Sequence, residues 1–189
     1  MDVFSAFGLA ASAGLNAYIP LLVVALLARF TNLIQLESPW DALTSWWVIG
    51  LLVVLVLIEF FADKVPAINH VNDLIQTFVR PVAGAILFAA SARVITDIHP
   101  ILSLGAGILV AGSVHAVKSL AVRPAVTVTT AGAGNVPVSI AEDLISTILS
   151  ILAIIIPVLI TVVLIMFAAL VIWWLWRRYN REKMTTTSS

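Results

Sequence analysis

Uncharged apolar runs that are long enough to cross a bilayer dominate this chain. Residues 144–176 and 3–28 contain no charged residue, and residues 48–58 are almost entirely aliphatic. A hydrocarbon core of ~30 Å requires about 20 apolar residues in helical conformation. The pattern therefore predicts an all-α, polytopic transmembrane helical bundle in a single domain, 1–176. About five spans are expected, at about 3–29, 45–61, 81–96, 100–121 and 144–175.

Two further segments, 63–80 and 123–143, have the pattern of amphipathic helices. In each, polar residues recur at the spacing of one helical face and apolar residues fill the other face. Two alternatives remain open for both. The segments either dip into the membrane as re-entrant elements that line a water-filled cavity, or lie flat in the interface with the polar face toward water. The polar faces consist of Asn69, Asp73, Gln76 and Arg80 in the first segment, and of Ser139, Asp143, Ser146 and Ser150 in the second.

Prolines mark the places where the spans are expected to be irregular. A small-residue stretch leads to Gly14, and Pro20 removes a helical N–H donor, so we expect a kink or break between these two residues. Pro157 is expected to kink the last span. The polar tail, 177–189, contains the strongest cluster of basic residues, and the positive-inside rule therefore predicts that it is cytoplasmic.

The two halves of the chain share a pattern that favours an internal duplication. Pro66 precedes Asp73-Leu74-Ile75 in the first half as Pro137 precedes Asp143-Leu144-Ile145 in the second. Transporter folds are often built from such repeats. Chance similarity between Ala- and Leu-rich stretches is the alternative, and the pattern leaves open whether a repeat would be parallel or inverted.

Composition narrows the function classes further. Of the 189 residues, 61% are hydrophobic and 11% are charged, whereas soluble domains carry about 25% charged residues. The formal net charge is zero, so nucleic acid is not an expected partner. The chain has no cysteine and no recognisable catalytic or nucleotide-binding motif. We therefore expect no enzyme activity, no metal site and no cofactor.

Four stretches of the chain carry a family resemblance: 14–22 (GLNAYIPLL), 62–81 (ADKVPAINHVNDLIQTFVRP), 115–124 (HAVKSLAVRP) and 132–143 (GAGNVPVSIAED). With these motifs the chain resembles a bacterial membrane family catalogued as domain of unknown function 4126, over nearly its whole length. The resemblance implies a polytopic membrane fold, and the bacterial inner membrane is the expected location. It implies no activity.

Ionisable and amide side chains near the spans are the candidate functional residues, because a charge at mid-bilayer costs about 2.5–3.5 kcal/mol on insertion scales. Asp73 and Asp143 are the strongest candidates. A pairing of Glu59 and Asp63 with His115 and Lys118 is also inferred, unless these groups lie at the headgroup level and snorkel. The expected pathway residues are Asn16, Asn69, Asp73, Gln76, Asn135, Glu142 and Asp143. The expected charge partners are Glu59, Asp63, Lys64, Arg80, Arg93, His115, Lys118 and Arg123.

These features favour a small transporter or channel that moves an ion or a small polar solute through a cavity lined by the two Pro-Asp segments. The alternatives are a lipid flippase- or scramblase-like protein and a non-catalytic membrane scaffold. Membrane lipids are expected partners in each case. Five spans are few for a single-chain transporter, so we also expect a homo-oligomer.

Overall fold

All regular structure in the described part of the chain is helical, as the hydropathy pattern predicts. The computed structural model describes residues 3–62, 66–92, 99–156, 163–174 and 176–177. The helices are α1 (Val3–Leu15), α2 (Tyr18–Phe30), α3 (Trp46–Ala62), α4 (Pro66–Ala92), α5 (Pro100–Val117), α6 (Arg123–Thr130), α7 (Asn135–Ile155) and α8 (Val163–Trp174), with a 3₁₀ turn (Trp40–Thr44) before α3 and a π-helical turn (Lys118–Val122) between α5 and α6.

Within the described ranges, three helical stretches are long and apolar enough to cross a membrane. They are Asn72–Ser91 within α4, Pro100–Thr130 across α5 and α6, and Asn135–Ile155, which is α7. At 1.5 Å rise per residue, each covers a hydrocarbon core of ~30 Å. These stretches indicate an integral membrane protein. Helices α1, α2, α3 and α8 are also apolar but shorter.

Helix α1 lies in the interior of the bundle, where it packs against α4, α5 and α7. It is rich in alanine, glycine and serine, and most of its residues are buried. Small side chains let helix backbones approach closely, which is how apolar helices associate in lipid. The 13 residues of α1 rise only about 20 Å. The helix therefore ends inside the protein, before it could cross the hydrocarbon core.

Helices α4 and α7 both run antiparallel to α1 and hence parallel to each other. Along α4, Phe88 lies against Phe7 with 5.0 Å between the ring centroids, and Arg80 lies against Gly14 at the other end of α1. If the two halves form a parallel repeat, α4 and α7 must run in the same direction, as they do here. The duplication itself stays a prediction. The corresponding contacts with α7 are Ser12 with Ser150 and Asn16 with Asp143.

Helices α4 and α5 cross at a pair of glycines with their backbones in contact. A Cβ atom on Gly84 would lie 2.8 Å from the carbonyl oxygen of Gly107. A Cβ atom on Gly107 would in turn lie 2.6 Å from the Cα atom of Ala85. The crossing therefore needs glycine on both helices, in the manner of close-packed membrane helices.

The boundary predicted at residue 81 is wrong, because α4 is one helix of 27 residues with Pro81 inside it. Proline removes one backbone hydrogen bond and crowds the carbonyl four residues earlier. In membrane helices, neighbouring helices and Ser or Thr side chains can satisfy the freed backbone groups, so a proline need not end the helix. Segment 63–80 is thus no separate element, and its described part, from Pro66 onward, is the first part of α4.

The boundaries predicted for segment 123–143 are also wrong. Pro100–Thr130 is continuous, because the π-helical turn joins α5 to α6 without a break. The chain then reverses at 131–134, where Ala131 has φ 51° and Gly132 has φ 87°. Helix α7 begins at Asn135 and runs through the predicted boundary at 143. The second amphipathic segment is therefore divided between two helices.

The predicted single span 144–175 is wrong as well. Helix α7 ends at Ile155, and the N–H of Ile156 closes it on the carbonyl of Leu152. Proline disfavours helical conformation in the residue before it, and Pro157 follows directly in the sequence. The proline that was expected to kink the span thus stands where α7 ends, and α8 is a separate helix.

The polar faces of both amphipathic segments point into the bundle. In α4, Gln76 and Arg80 are buried, whereas Phe78 is 71% exposed. An apolar outer face suits lipid, and a polar inner face needs protein partners there. Helices that lie flat in the interface turn their polar face toward water instead. In α7, the buried polar residues are Ser139, Ser146 and Ser150, and the exposed apolar residues are Ile140, Leu144, Ile145 and Ile148.

Candidate functional site

Polar side chains converge inside the bundle, where the chain is interrupted between α1 and α2. The group draws on α3, α4, α5, α6, α7 and the π-helical turn. Most of its members are linked by hydrogen bonds and ion pairs, and we call it the polar cluster. It consists of Asn16, Glu59, Asp73, Gln76, Arg80, His115, Lys118, Arg123, Glu142 and Asp143.

Asn16 connects the two helices at the interruption. Its N–H closes α1 on the carbonyl of Ser12 at 3.1 Å. Its Oδ1 accepts hydrogen bonds from the N–H groups of Tyr18 at 3.1 Å and Ile19 at 3.0 Å, which begin α2. The side-chain amide also donates to Asp143 Oδ1 at 3.0 Å. Asparagine is a favoured helix-capping residue, and here one side chain caps α2 and links it to α7.

Asn16→Ala is expected to lower the free energy of unfolding by about 2–4 kcal/mol. The substitution removes a helix cap, worth about 1 kcal/mol. It also removes a donor from the part-buried Asp143, at a cost of about 1–3 kcal/mol. Tryptophan fluorescence during denaturant unfolding measures the change.

Asn32→Ala is the matched control, because Asn32 is exposed in the loop after α2. It should change the stability by less than about 0.5 kcal/mol. Equal effects of the two substitutions would contradict a structural role of Asn16.

Two cationic side chains meet the carbonyl oxygens at the C-terminal end of α1. Arg80 Nη1 lies 3.4 Å from the oxygen of Gly14, and Lys118 Nζ donates to the oxygen of Leu15 at 3.0 Å. The last carbonyls of a helix have no intrahelical partner and carry a partial negative charge. The interruption of α1 therefore creates a buried acceptor site that arginine and lysine occupy.

Arg80 lies at the centre of a chain of contacts across α3, α4 and α5. It is fully buried, and its Nη2 pairs with Glu59 Oε1 at 2.9 Å. Its Nη1 lies 3.2 Å from His115 Nδ1, and Thr77 Oγ1 lies 3.2 Å from His115 Nε2. A guanidinium only donates, so Nδ1 must accept and Nε2 carries the proton. His115 is thereby held neutral in one tautomer.

Glu142 joins two further cations. Its Oε2 lies 2.7 Å from Lys118 Nζ and 3.3 Å from Arg123 Nη2. Nη1 of Arg123 lies 3.4 Å from Asp73 Oδ1. The side chain of Asp73 is 28% exposed, whereas that of Lys118 is 4% exposed. This chain of charges thus runs from the interior, at the end of α1, toward the surface at Asp73.

The π-helical turn allows Lys118 and Arg123 to reach the same carboxylate. The N–H of Arg123 bonds to the carbonyl of Lys118, five residues earlier. In a regular α-helix, residues five apart differ by about 140° around the axis. The wider turn brings them nearly into line, so both cations face Glu142 on α7. Such wide turns occur often at functional sites.

Serine hydroxyls fix α1 against α7 beside the polar cluster. Ser12 Oγ contacts Ser146 Oγ at 2.9 Å and Ser150 Oγ at 2.7 Å, and all three residues are buried. Serine side chains that bond across helices are a common means of association in membranes. These contacts hold Asp143 at the height of Asn16.

The structure brings together most of the residues selected from the sequence. Glu59 reaches His115 through Arg80, and Lys118 pairs with Glu142, so the inferred link between the halves runs through these two additional residues. Asn135 lies apart, where its side chain accepts from Thr127 at 3.1 Å in the turn region. Asp63, Lys64, Arg93 and the side chain of Asn69 lie outside the described residues.

Sequence reasoning missed several participants. The carbonyls of Gly14 and Leu15 have no side-chain signature, although the expected break at this position points to them. Thr77 lies one residue from Gln76 and faces His115 on α5. Tyr18 hydrogen-bonds Gln76 from the start of α2. Its position within the expected break, between Gly14 and Pro20, was the only available signal.

The chemistry offered by the polar cluster is ion pairing and hydrogen bonding. Among the residues that the structure describes, no three His, Asp or Glu side chains converge as a metal site would require. The ion pairs among the described residues form two groups, Glu59 with Arg80, and Lys118 and Arg123 with Glu142 and Asp73. Such an arrangement can exchange partners when a solute or a proton enters.

Comparison with known proteins gives one match. The family model described as "Domain of unknown function (DUF4126)" matches residues 3–177. No curated protein and no solved structure matches the chain significantly.

Proposed function

Since the chain belongs to the DUF4126 family, whose description assigns no activity, we propose a function from the site itself: a small membrane transporter or channel that moves an ion or small polar solute through the polar cluster. The proposal includes a homo-oligomer without enzyme activity. It also includes a bacterial plasma-membrane location with the C-terminus in the cytoplasm.

The interruption of α1 inside the bundle is the observation that carries the proposal. Transporters place substrate and ion sites at such discontinuous helices, because the exposed ends of half-helices offer unpaired backbone groups. Here the terminal carbonyls of Gly14, which is buried, and Leu15, which is part-buried, face Arg80 and Lys118. Irregular backbone at this depth is tolerated only where protein or water covers it.

The charges of the polar cluster support the same function. Ionisable side chains within membrane helices are expensive and mark ion or substrate pathways by default. Breaking a buried pair is costly unless a replacement partner is present. A solute that takes the place of one partner, for example beside Glu142, would therefore shift the remaining pairs. We propose that this exchange couples solute binding to movement of α7 against α5.

Glu142→Gln is expected to reduce flux at least tenfold, about 1.4 kcal/mol in the barrier. The substitution leaves Lys118 and Arg123 without their shared carboxylate charge. Purified protein in liposomes, tested with H⁺, Na⁺, K⁺, Cl⁻ and small neutral solutes, provides the measurement. An unfolding transition like that of the wild type shows that the variant is intact.

Glu37→Gln serves as the control, since Glu37 is an exposed loop residue. It should leave the flux unchanged. Absence of flux for every solute from folded, inserted wild-type protein would refute the proposal. Phospholipid movement without solute flux would assign the protein to lipid handling instead, and a defined complex with no flux would assign it to a scaffold.

A further inference from the structure

Two buried polar atoms on α4 lack a hydrogen-bond partner among the described residues. They are Oε1 of Gln76 and Nε of Arg80. The two residues are 1% and 0% exposed. Buried polar groups in native proteins nearly always have partners, because an unmade bond leaves the full cost of desolvation. An acceptor and a donor therefore remain open at one place in the interior.

The two atoms belong to the same small region. Gln76 and Arg80 are one turn apart on α4, so their Cβ atoms are about 5–6 Å apart. In a guanidinium, Nε shares an edge with Nη2, and Nη2 of Arg80 donates to Glu59. Tyr18 hydrogen-bonds Gln76 and interacts electrostatically with Glu59 and Arg80. We call the region around these two atoms the Gln76–Arg80 position.

We propose that the Gln76–Arg80 position binds one small neutral group that accepts a hydrogen bond from Arg80 and donates one to Gln76. A hydroxyl, a carboxamide or water has both functions. Metal cations and ammonium cannot accept from Nε–H, and a halide cannot donate to the amide oxygen. This inference rests on the proposed function in one respect, because it narrows the substrate at this point of the pathway to neutral hydrogen-bonding solutes.

The sign of a stability change tests whether the position is occupied. Gln76→Met is introduced into a Tyr18→Phe background, where the bond between these two residues is already absent. If a ligand bridges Gln76 and Arg80, the substitution removes its bond and should lower the unfolding temperature by about 2–4 °C. If the amide oxygen is unbonded, methionine relieves a buried polar group and the temperature stays the same or rises. The latter result would overturn the proposal.

Added solutes distinguish a bound solute from bound water. Wild-type protein and Gln76→Met are unfolded with increasing acetamide or methanol. A dose-dependent stabilisation of the wild type over the variant identifies the solute as the occupant. If the solutes affect both proteins equally, and Gln76→Met lowers the unfolding temperature in the Tyr18→Phe background, the occupant is water. Ser150→Ala is the control for loss of a buried polar group, because the bonds of Ser150 lie within the protein, and it should respond to the solutes like the wild type.

These measurements involve no flux. Failure of the occupancy test would leave the transport proposal standing, and absence of transport would leave a positive occupancy test in place as a structural binding site. The two proposals can therefore fail separately.

Discussion

Arg80→Met is expected to lower the free energy of unfolding by about 3–5 kcal/mol, a large part of the 5–15 kcal/mol that stabilises a typical protein. The substitution leaves the carboxylate of Glu59 buried without the guanidinium 2.9 Å away. It also removes the contacts of Arg80 with the Gly14 carbonyl and with His115. Denaturant unfolding in detergent, followed by tryptophan fluorescence, measures the loss.

Arg29→Met is the matched control, because Arg29 is exposed and bonds only at the surface, to the carbonyl of Thr44 and over the ring of Trp46. It should cost at most about 1 kcal/mol. The double variant Arg80→Met with Glu59→Met should be more stable than Arg80→Met alone, because it removes the buried charge as well. A double variant no better than the single one would show that the ion pair is not the cause of the loss.

Gly107→Leu is expected to destabilise the protein by at least about 3 kcal/mol through overpacking of the helix crossing. Its side chain would have to enter the space taken by the carbonyl of Gly84 and by the Cα atom of Ala85, which would lie 2.6 Å from the new Cβ atom. Backbone atoms of a helix cannot rotate away as a side chain can. Helices α4 and α5 would have to separate, and with them Arg80 and His115.

The same substitution two residues earlier provides the control. A Cβ atom at Gly105 would meet nothing within 4 Å. Gly105→Leu should therefore leave stability unchanged or raise it by up to about 1 kcal/mol, because glycine is a poor helix former. Similar losses from both substitutions would indicate that glycine is needed for a reason other than the crossing.

The helical class of this fold could be predicted from the sequence because lipid imposes it. Backbone groups in a bilayer have no water to bond with, so long apolar runs must be helices or closed barrels. The interruption between α1 and α2 also lies within the predicted interval, Gly14 to Pro20. Local chemistry alone was sufficient there, since Asn16 offers a cap and Pro20 lacks a donor.

The helix ends were harder to predict, because proline has opposite effects in different surroundings. Pro81 lies inside a helix whose neighbours support it, whereas α7 ends two residues before Pro157. The local rule is the same at both positions. Tertiary packing decides the outcome, and the sequence of one segment does not contain that information.

The sequence could indicate candidate residues of the polar cluster, but not their partners. Charged residues near apolar spans could be selected one by one from their cost in lipid. The partners of these residues could not be predicted in this way. Lys118 and Glu142 lie on different helical elements, and their contact depends on the angle between those elements. The π-helical turn that orients Lys118 and Arg123 has no residue signature at all.

That turn has an evolutionary consequence. If residues 118–122 kept their number but formed a regular α-helix, Arg123 would stand about 140° around the helix axis from Lys118. Arg123 would then face away from α7 although no side chain of the site had changed. Selection on related genes should therefore keep either the wide turn or a regular helix with one residue fewer, in which the two cations stand four apart on one face.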